Sequence, residues 1–183
     1  MDELTKQLQP YAEVDNAELL WRRARAEWAW NKGIKFATSG YQKRRLEDSL
    51  EMIDRALDLD GSISNVYLCK AVLIKAQCQL SGTPSEQIAG MGEMRSLLET
   101  ALELDLENGA AAQLLAMWHF EVSQIGWIQR TVFAWWGKVP EGSLQKALHY
   151  AWMAQEVQSS TRNLLVLAKI YNGWVFVIMF CCV

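Results

Sequence analysis

The chain has 183 residues, 51% apolar and 21% charged, with three prolines, eleven glycines and a formal net charge of −3. That length holds one domain, at most two, and a chain near this size hides roughly 70% of its unfolded surface. The composition excludes a disordered or collagen-like chain, and four cysteines without a CxxC pair, with two histidines that have no partner at ligand spacing, exclude a recognisable zinc site.

The first segment, 1–15, reads as a polar tail; MDELTKQLQP lacks the apolar h-region of a secretory signal and the character of a transit peptide. Helical periodicity then dominates. It predicts helices over 16–33, 41–59, 64–79 and 84–104, the last with a break near Gly90 and Gly92. Further helices are predicted over 109–125, 127–136, 141–157 and 161–172. Asp15-Asn16-Ala17-Glu18 resembles a capping box, and Thr83-Pro84-Ser85-Glu86 supplies a cap, a first-turn proline and an acid. Glycines at 40, 61, 82, 109, 126 and 137 read as stops.

Residues 126–140, GWIQRTVFAWWGKVP, are apolar over most of the circumference of a helix. One arginine does not supply the charged face of an interfacial helix, so burial is expected, as an insert wedged between neighbouring helix pairs. The alternative is a groove lined by Trp118, Trp127, Arg130, Trp135 and Trp136. Residues 173–183 read as an apolar tail, the product of a truncation or an alternative end, or a segment folding back on the stack. The ten apolar residues WVFVIMFCCV are half of the ~20 that span a bilayer, so no transmembrane segment is expected.

The chain repeats itself. ALDLDGSISNVYLCKA at 56–71 matches ALELDLENGAAAQLLA at 101–116, and AQEVQSSTRNLLVLA at 154–168 is a weaker, shorter copy. In each copy a helix ends in a turn and another begins. This resembles the tetratricopeptide repeat, with Ala56, Ala101 and Ala154 paired to Ala71, Ala116 and Ala168 as close-contact residues. The period is 45 then 53 residues instead of the usual ~34, so the pairs carry inserts. The fold expected is all-α: a tetratricopeptide-like helical-repeat solenoid of about eight helices in antiparallel pairs, over 16–172. An ordinary helical bundle with alanines at its contacts is the alternative.

Charge is uneven. Between 22 and 45 stand Arg22, Arg23, Arg25, Lys32, Lys35, Lys43, Arg44 and Arg45 against Glu27 alone. The segment is either a solvated helix face or a docking face for an acidic partner, an anionic membrane or a protein with acidic tails. No recognition helix or stacking platform points to nucleic acid. No GxSxG, P-loop or HExxH motif is present, and Gly90-Met91-Gly92 follows no strand, so neither an enzyme nor a cofactor is expected. His119, between Trp118 and Phe120, reads as a packed histidine, and Cys69 and Cys78 as small buried apolar groups. Reduced cysteines fit a cytosolic protein.

Five stretches in order carry a resemblance: ELLWRRAR at 18–25, ALELDLENGAAAQLLAMWHF at 101–120, GWIQR at 126–130, Pro140 with SLQKAL at 143–148, and NLLVLAKIY at 163–171. Together they resemble the regulator of microtubule dynamics family, whose members carry a divergent tetratricopeptide-like domain. The resemblance implies a non-enzymatic protein associated with microtubules, the cytoskeleton and spindle poles that serves chromosome segregation, with the acidic tails of tubulin as complement to the basic set. Some relatives act at contacts of the endoplasmic reticulum and mitochondria through an N-terminal anchor, with phospholipid binding proposed for the helical domain. Residues 1–15 hold no apolar span, so the cytoplasmic form is expected, with a mitochondrial or endoplasmic-reticulum surface as the alternative. A peptide-binding adaptor is a third reading, since stacked helix pairs form concave grooves.

Overall fold

The computed structural model describes residues 16–33, 38–81 and 83–181, and side chains through Gly173 except those of Lys32, Ser81 and Trp127. The predicted 1–15 tail lies outside these residues. Among the described residues all regular structure is helical: α1 (Ala17–Lys32), α2 (Ser39–Leu59), α3 (Ser64–Ser81), α4 (Pro84–Leu104), α5 (Gly109–Ser123), α6 (Trp127–Phe133), α7 (Leu144–Val157) and α8 (Thr161–Cys181).

Local chemistry sets the starts. The side chains of Asn16, Thr38, Asn108 and Ser143 accept from the backbone N–H three residues on, at 3.2, 3.3, 3.0 and 3.3 Å. Thr38 therefore starts α2 two residues before the expected position, with Gly40 inside the first turn, and Ser143 starts α7 three residues late. Two expected stops are absent. α4 runs unbroken through Gly90 and Gly92, and α8 continues through Gly173 to Cys181 instead of ending at 172. The reason is packing: a Cβ on Gly90 would lie 2.1 Å from Cys78 Sγ, and one on Gly173 2.6 Å from the Phe120 ring. These glycines permit close approach, and a helix tolerates each at roughly 1 kcal/mol relative to alanine.

The chain divides into two compact units, residues 1–97 and 98–183, with α4 crossing the division. In the first, α1 lies against both α2 and α3, and α2 pairs with α3. Their apolar stripes meet at Ala24, Leu46, Ile53, Val66 and Leu73, all 1% exposed or less. In the second, α5 lies against α7 and α8 in the same arrangement, around Ala116, Ala147, Ala151 and Ile170. Each unit thus packs three of its helices round one core, an all-α arrangement compatible with the helical-repeat fold expected.

The repeat alanines explain the spacing. Ala56, Ala71, Ala101 and Ala116 are fully buried and Ala154 nearly so. Ala168 is exposed, contrary to expectation. Polar side chains close the turns after α2 and α4. Asp60 Oδ1 accepts from Ser62 N–H at 2.9 Å and from Ser62 Oγ at 2.6 Å, bonds that hold its carboxyl below the ordinary range. Asp105 Oδ1 accepts from Glu107 N–H at 3.0 Å.

The tryptophan-rich run departs furthest from its expected burial. α6 ends at Phe133, and Ile128, Val132, Trp135 and Trp136 are 60%, 50%, 86% and 49% exposed. A helix of seven residues gains too little from its own backbone bonds to be placed by them. It is placed by one side chain, described below. Among the described residues no helix is long and apolar enough to cross a membrane.

Candidate functional site

The basic set of α1 and α2 divides into two groups. Arg23 Nε donates to Glu27 Oε1 at 2.8 Å, and Arg45 Nη2 donates to Glu27 Oε2 at 2.9 Å. Arg45 Nη1 also reaches Asp48 at 3.0 Å. Glu27 is 7% exposed, so its charge is largely removed from water and needs both guanidiniums. Around this clamp Asn31 Nδ2 donates to Glu27 O at 2.6 Å, and the Tyr41 hydroxyl donates to Asn31 Oδ1 at 3.2 Å. Arg23 and Arg45 therefore join α1 to α2.

The remaining cations differ. Arg25, Lys43 and Arg44 are exposed and make no ion pair with any described residue. Arg22 is 60% exposed, pairs with Glu18 at 2.8 Å and lies 5.2 Å from the centroid of the Trp21 ring. Such a surface pair is weak and leaves the guanidinium available. The side chain of Lys32 and all of Lys35 lie outside the described residues. The signal for the division was in the sequence: Glu27 is the one acid amid eight bases.

The proposed groove residues do not converge. Trp118 is 2% exposed and meets the His119 ring edge-on at 4.9 Å, inside the second unit's core. The Trp127 side chain is outside the described residues, and Trp135 points into solvent. Arg130 turns back on the protein: Nη2 donates to Val122 O at 2.9 Å, Nε to Ile125 O at 3.1 Å and Nη1 to Pro140 O at 3.0 Å. Carbonyls at and just beyond the end of α5 lack helical donors, and a cation there also meets the negative end of the helix dipole. Arg130 thus fixes the whole excursion between α5 and α7. Arg130→Ala is expected to cost about 2 kcal/mol and to speed amide hydrogen exchange across 126–143 while leaving α1–α3 protected. Uniform exchange rates in the variant and the parent would refute that role.

Sequence reasoning missed Asn163. Its Nδ2 donates to Ala154 O at 2.9 Å and Gln158 O at 2.7 Å, tying the end of α7 to the start of α8, and its Oδ1 accepts from Gln113 on α5. The signal was its place heading the NLLVLAKIY stretch just after a turn. Cys69 is buried and its thiol is pushed up to about 12 by desolvation, while Cys78 is half-buried and raised less. Among the described residues no group of three or more histidines, cysteines and acids could hold a metal.

The family model described as regulator of microtubule dynamics protein 1-3 matches residues 1–173. The chain is 30% identical over 174 residues to regulator of microtubule dynamics protein 1 of Bos taurus, covering 93% of this chain and 54% of the relative. The Mus musculus protein of the same name is 29% identical over 174 residues, covering 93% and 56%. Regulator of microtubule dynamics protein 2 of Homo sapiens is 26% identical over 163 residues, covering 86% and 38%. The chain spans about half the length of the curated relatives it matches. The match takes in both helix triads, the Glu27 clamp and the Arg130 and Asn163 anchors, and by its extent the chain belongs to the regulator of microtubule dynamics family.

Proposed function

We propose that this chain is a non-enzymatic, microtubule-associated module that regulates microtubule dynamics and, through them, spindle organisation and chromosome segregation. Its site of action would be the cytoskeleton and the spindle poles. Family membership supports the reading, and one observation carries it: Arg25, Lys43 and Arg44 stand exposed without acidic partners among the described residues, and Arg22 is held only by a surface pair. The acidic tails of tubulin are the complement to such a set, and contacts of this kind set on-rate and salt dependence.

The test reverses Arg22, Arg25, Lys43 and Arg44 to glutamate together. Arg23 and Arg45 are kept, because they neutralise Glu27. Microtubule co-sedimentation of the parent should weaken with salt as the Debye length shrinks to about 8 Å and below. The variant should melt with the parent yet bind at least about tenfold more weakly. Pelleting that survives the reversal overturns the reading.

A second reading, phospholipid binding at a mitochondrial or endoplasmic-reticulum contact, is favoured by the exposed Ile128, Val132, Trp135 and Trp136 beside the exposed Lys138. It predicts co-purifying phospholipid and flotation with anionic vesicles that Trp135→Ser with Trp136→Ser abolishes.

A further inference from the structure

A surface helix normally carries one apolar stripe and a polar opposite face. α8 departs from that rule. Val166, Leu167 and Ile170 lie in the core of the second unit. On the other side Thr161, Leu164, Leu165, Ala168, Tyr171 and Asn172 recur at three- and four-residue spacing, so they form one stripe, and all six are exposed. Leu164 and Leu165 are 53% and 63% exposed. α7 adds to this face at one end: Trp152 is exposed, and its Nε1 donates to the Tyr171 hydroxyl at 3.3 Å. Contiguous exposed apolar surface of this kind marks an interaction site.

Shape and charge name the occupant. Ala168 is the low point of the stripe, between Leu164 and Tyr171. At the matching places of the other repeat copies Ala71 and Ala116 are fully buried, and Ala116 shares its core with Ala147 and Ala151 of α7. Small side chains let a second helix approach closely, whereas a bilayer takes side chains that protrude. The charge is positive. Over 144–173 the chain has Lys146, Arg162 and Lys169 against Glu156 alone, all four exposed. Arg162 and Lys169 flank the stripe on the Leu165 side and make no ion pair with any described residue. A second copy laid antiparallel on this face would bring the same edge of each α8 together, cation against cation, and α8 has no acid over 161–173 to answer them.

We propose that this face of α8 receives an amphipathic, acidic helix of a protein partner. Its apolar side lies on Leu164, Leu165, Ala168 and Tyr171, and its carboxylates meet Arg162 and Lys169. This is the helix-on-groove mode of recognition, read through anchors at helical spacing. The site lies wholly in the second unit and is separate from the basic set of α1 and α2, so its failure leaves the microtubule reading untouched.

The probe is a fluorescein-labelled helical peptide of about 15 residues, leucine and alanine on one side and glutamate on the other, long enough to be helical in part. Its twin has glutamine for each glutamate. Binding to the full chain is followed by fluorescence anisotropy. The glutamate peptide should bind with a Kd on the order of 10 µM, and the glutamine twin at least about fivefold more weakly. Arg162→Glu with Lys169→Glu should weaken the glutamate peptide about tenfold and leave the twin unchanged. Ala168→Gln, which fills the low point, should weaken both peptides about tenfold. The three positions are exposed, so unchanged melting temperatures accompany the expected result. Equal binding of the two peptides by the parent means an apolar surface only and overturns the proposal, as does the absence of saturable binding. A dimer in sedimentation that Ala168→Gln dissociates gives the face to a second copy, and flotation with anionic vesicles that Arg162→Glu with Lys169→Glu abolishes gives it to a membrane; either result also overturns it.

Discussion

Replacing Glu27 with alanine is expected to destabilise the first unit by about 3 kcal/mol. The carboxylate is 7% exposed and receives one guanidinium on each oxygen, Arg23 from its own helix and Arg45 from α2. Removing it takes away the carboxylate that the two guanidiniums share; Arg45 keeps Asp48 as its counter-charge. Both arginines are 33% exposed, so water recovers part of the loss, which places the cost at the low end of that for breaking a buried pair. Glu27→Gln retains an acceptor and should cost about half as much. Urea denaturation, with hydrogen exchange to separate the two units, checks this. A change below about 0.5 kcal/mol would show that Glu27 is a surface acid in solution.

Gly142→Ala is expected to cost about 3 kcal/mol in the second unit. The added Cβ would lie 2.4 Å from Ser123 N, 2.7 Å from His119 O and 2.7 Å from Val122 C. All three are backbone atoms of the last turn of α5 and cannot rotate aside. Either α5 frays or the segment before α7 lifts away, and the bond from Arg130 to Pro140 O goes with it. Gly92→Ala is the control. Beyond its chain neighbours and the backbone of its own helix no atom stands within 4 Å of its added Cβ, and the position is inside α4, so alanine should stabilise by about 0.5–1 kcal/mol. Thermal melts of the two variants should move in opposite directions; a common direction would contradict the packing account.

Much of this fold was legible in the chain. The apolar stripe Ala111, Leu114, Leu115, Trp118, Val122 and Ile125 is read from the 109–125 periodicity; Ala111, Leu115, Trp118 and Val122 are buried, and Leu114 and Ile125 are half-buried. The cap at Asn16 depends on the next three residues alone. Helix starts other than those of α2 and α7, the repeat alanines through Ala154 and family membership follow from such short-range patterns. The candidate site was legible only as composition, a run of cations with one acid in it.

What the tertiary structure decided lies between residues far apart in sequence. Arg45 meets Glu27 across 18 residues, which removes two arginines from the basic surface and leaves Arg25, Lys43 and Arg44 on it. Gly173 meets Phe120, and Gly90 meets Cys78, so glycines that punctuate a chain read locally instead serve contacts inside continuous helices. Arg130 donates to three carbonyls, and Trp135 stands in solvent, where apolar periodicity alone expected burial. Periodicity states which face of a helix is apolar. Whether another surface covers that face depends on neighbours that local sequence does not name, and this is why the sequence determined the helices while the packing determined which residues are free to meet a partner.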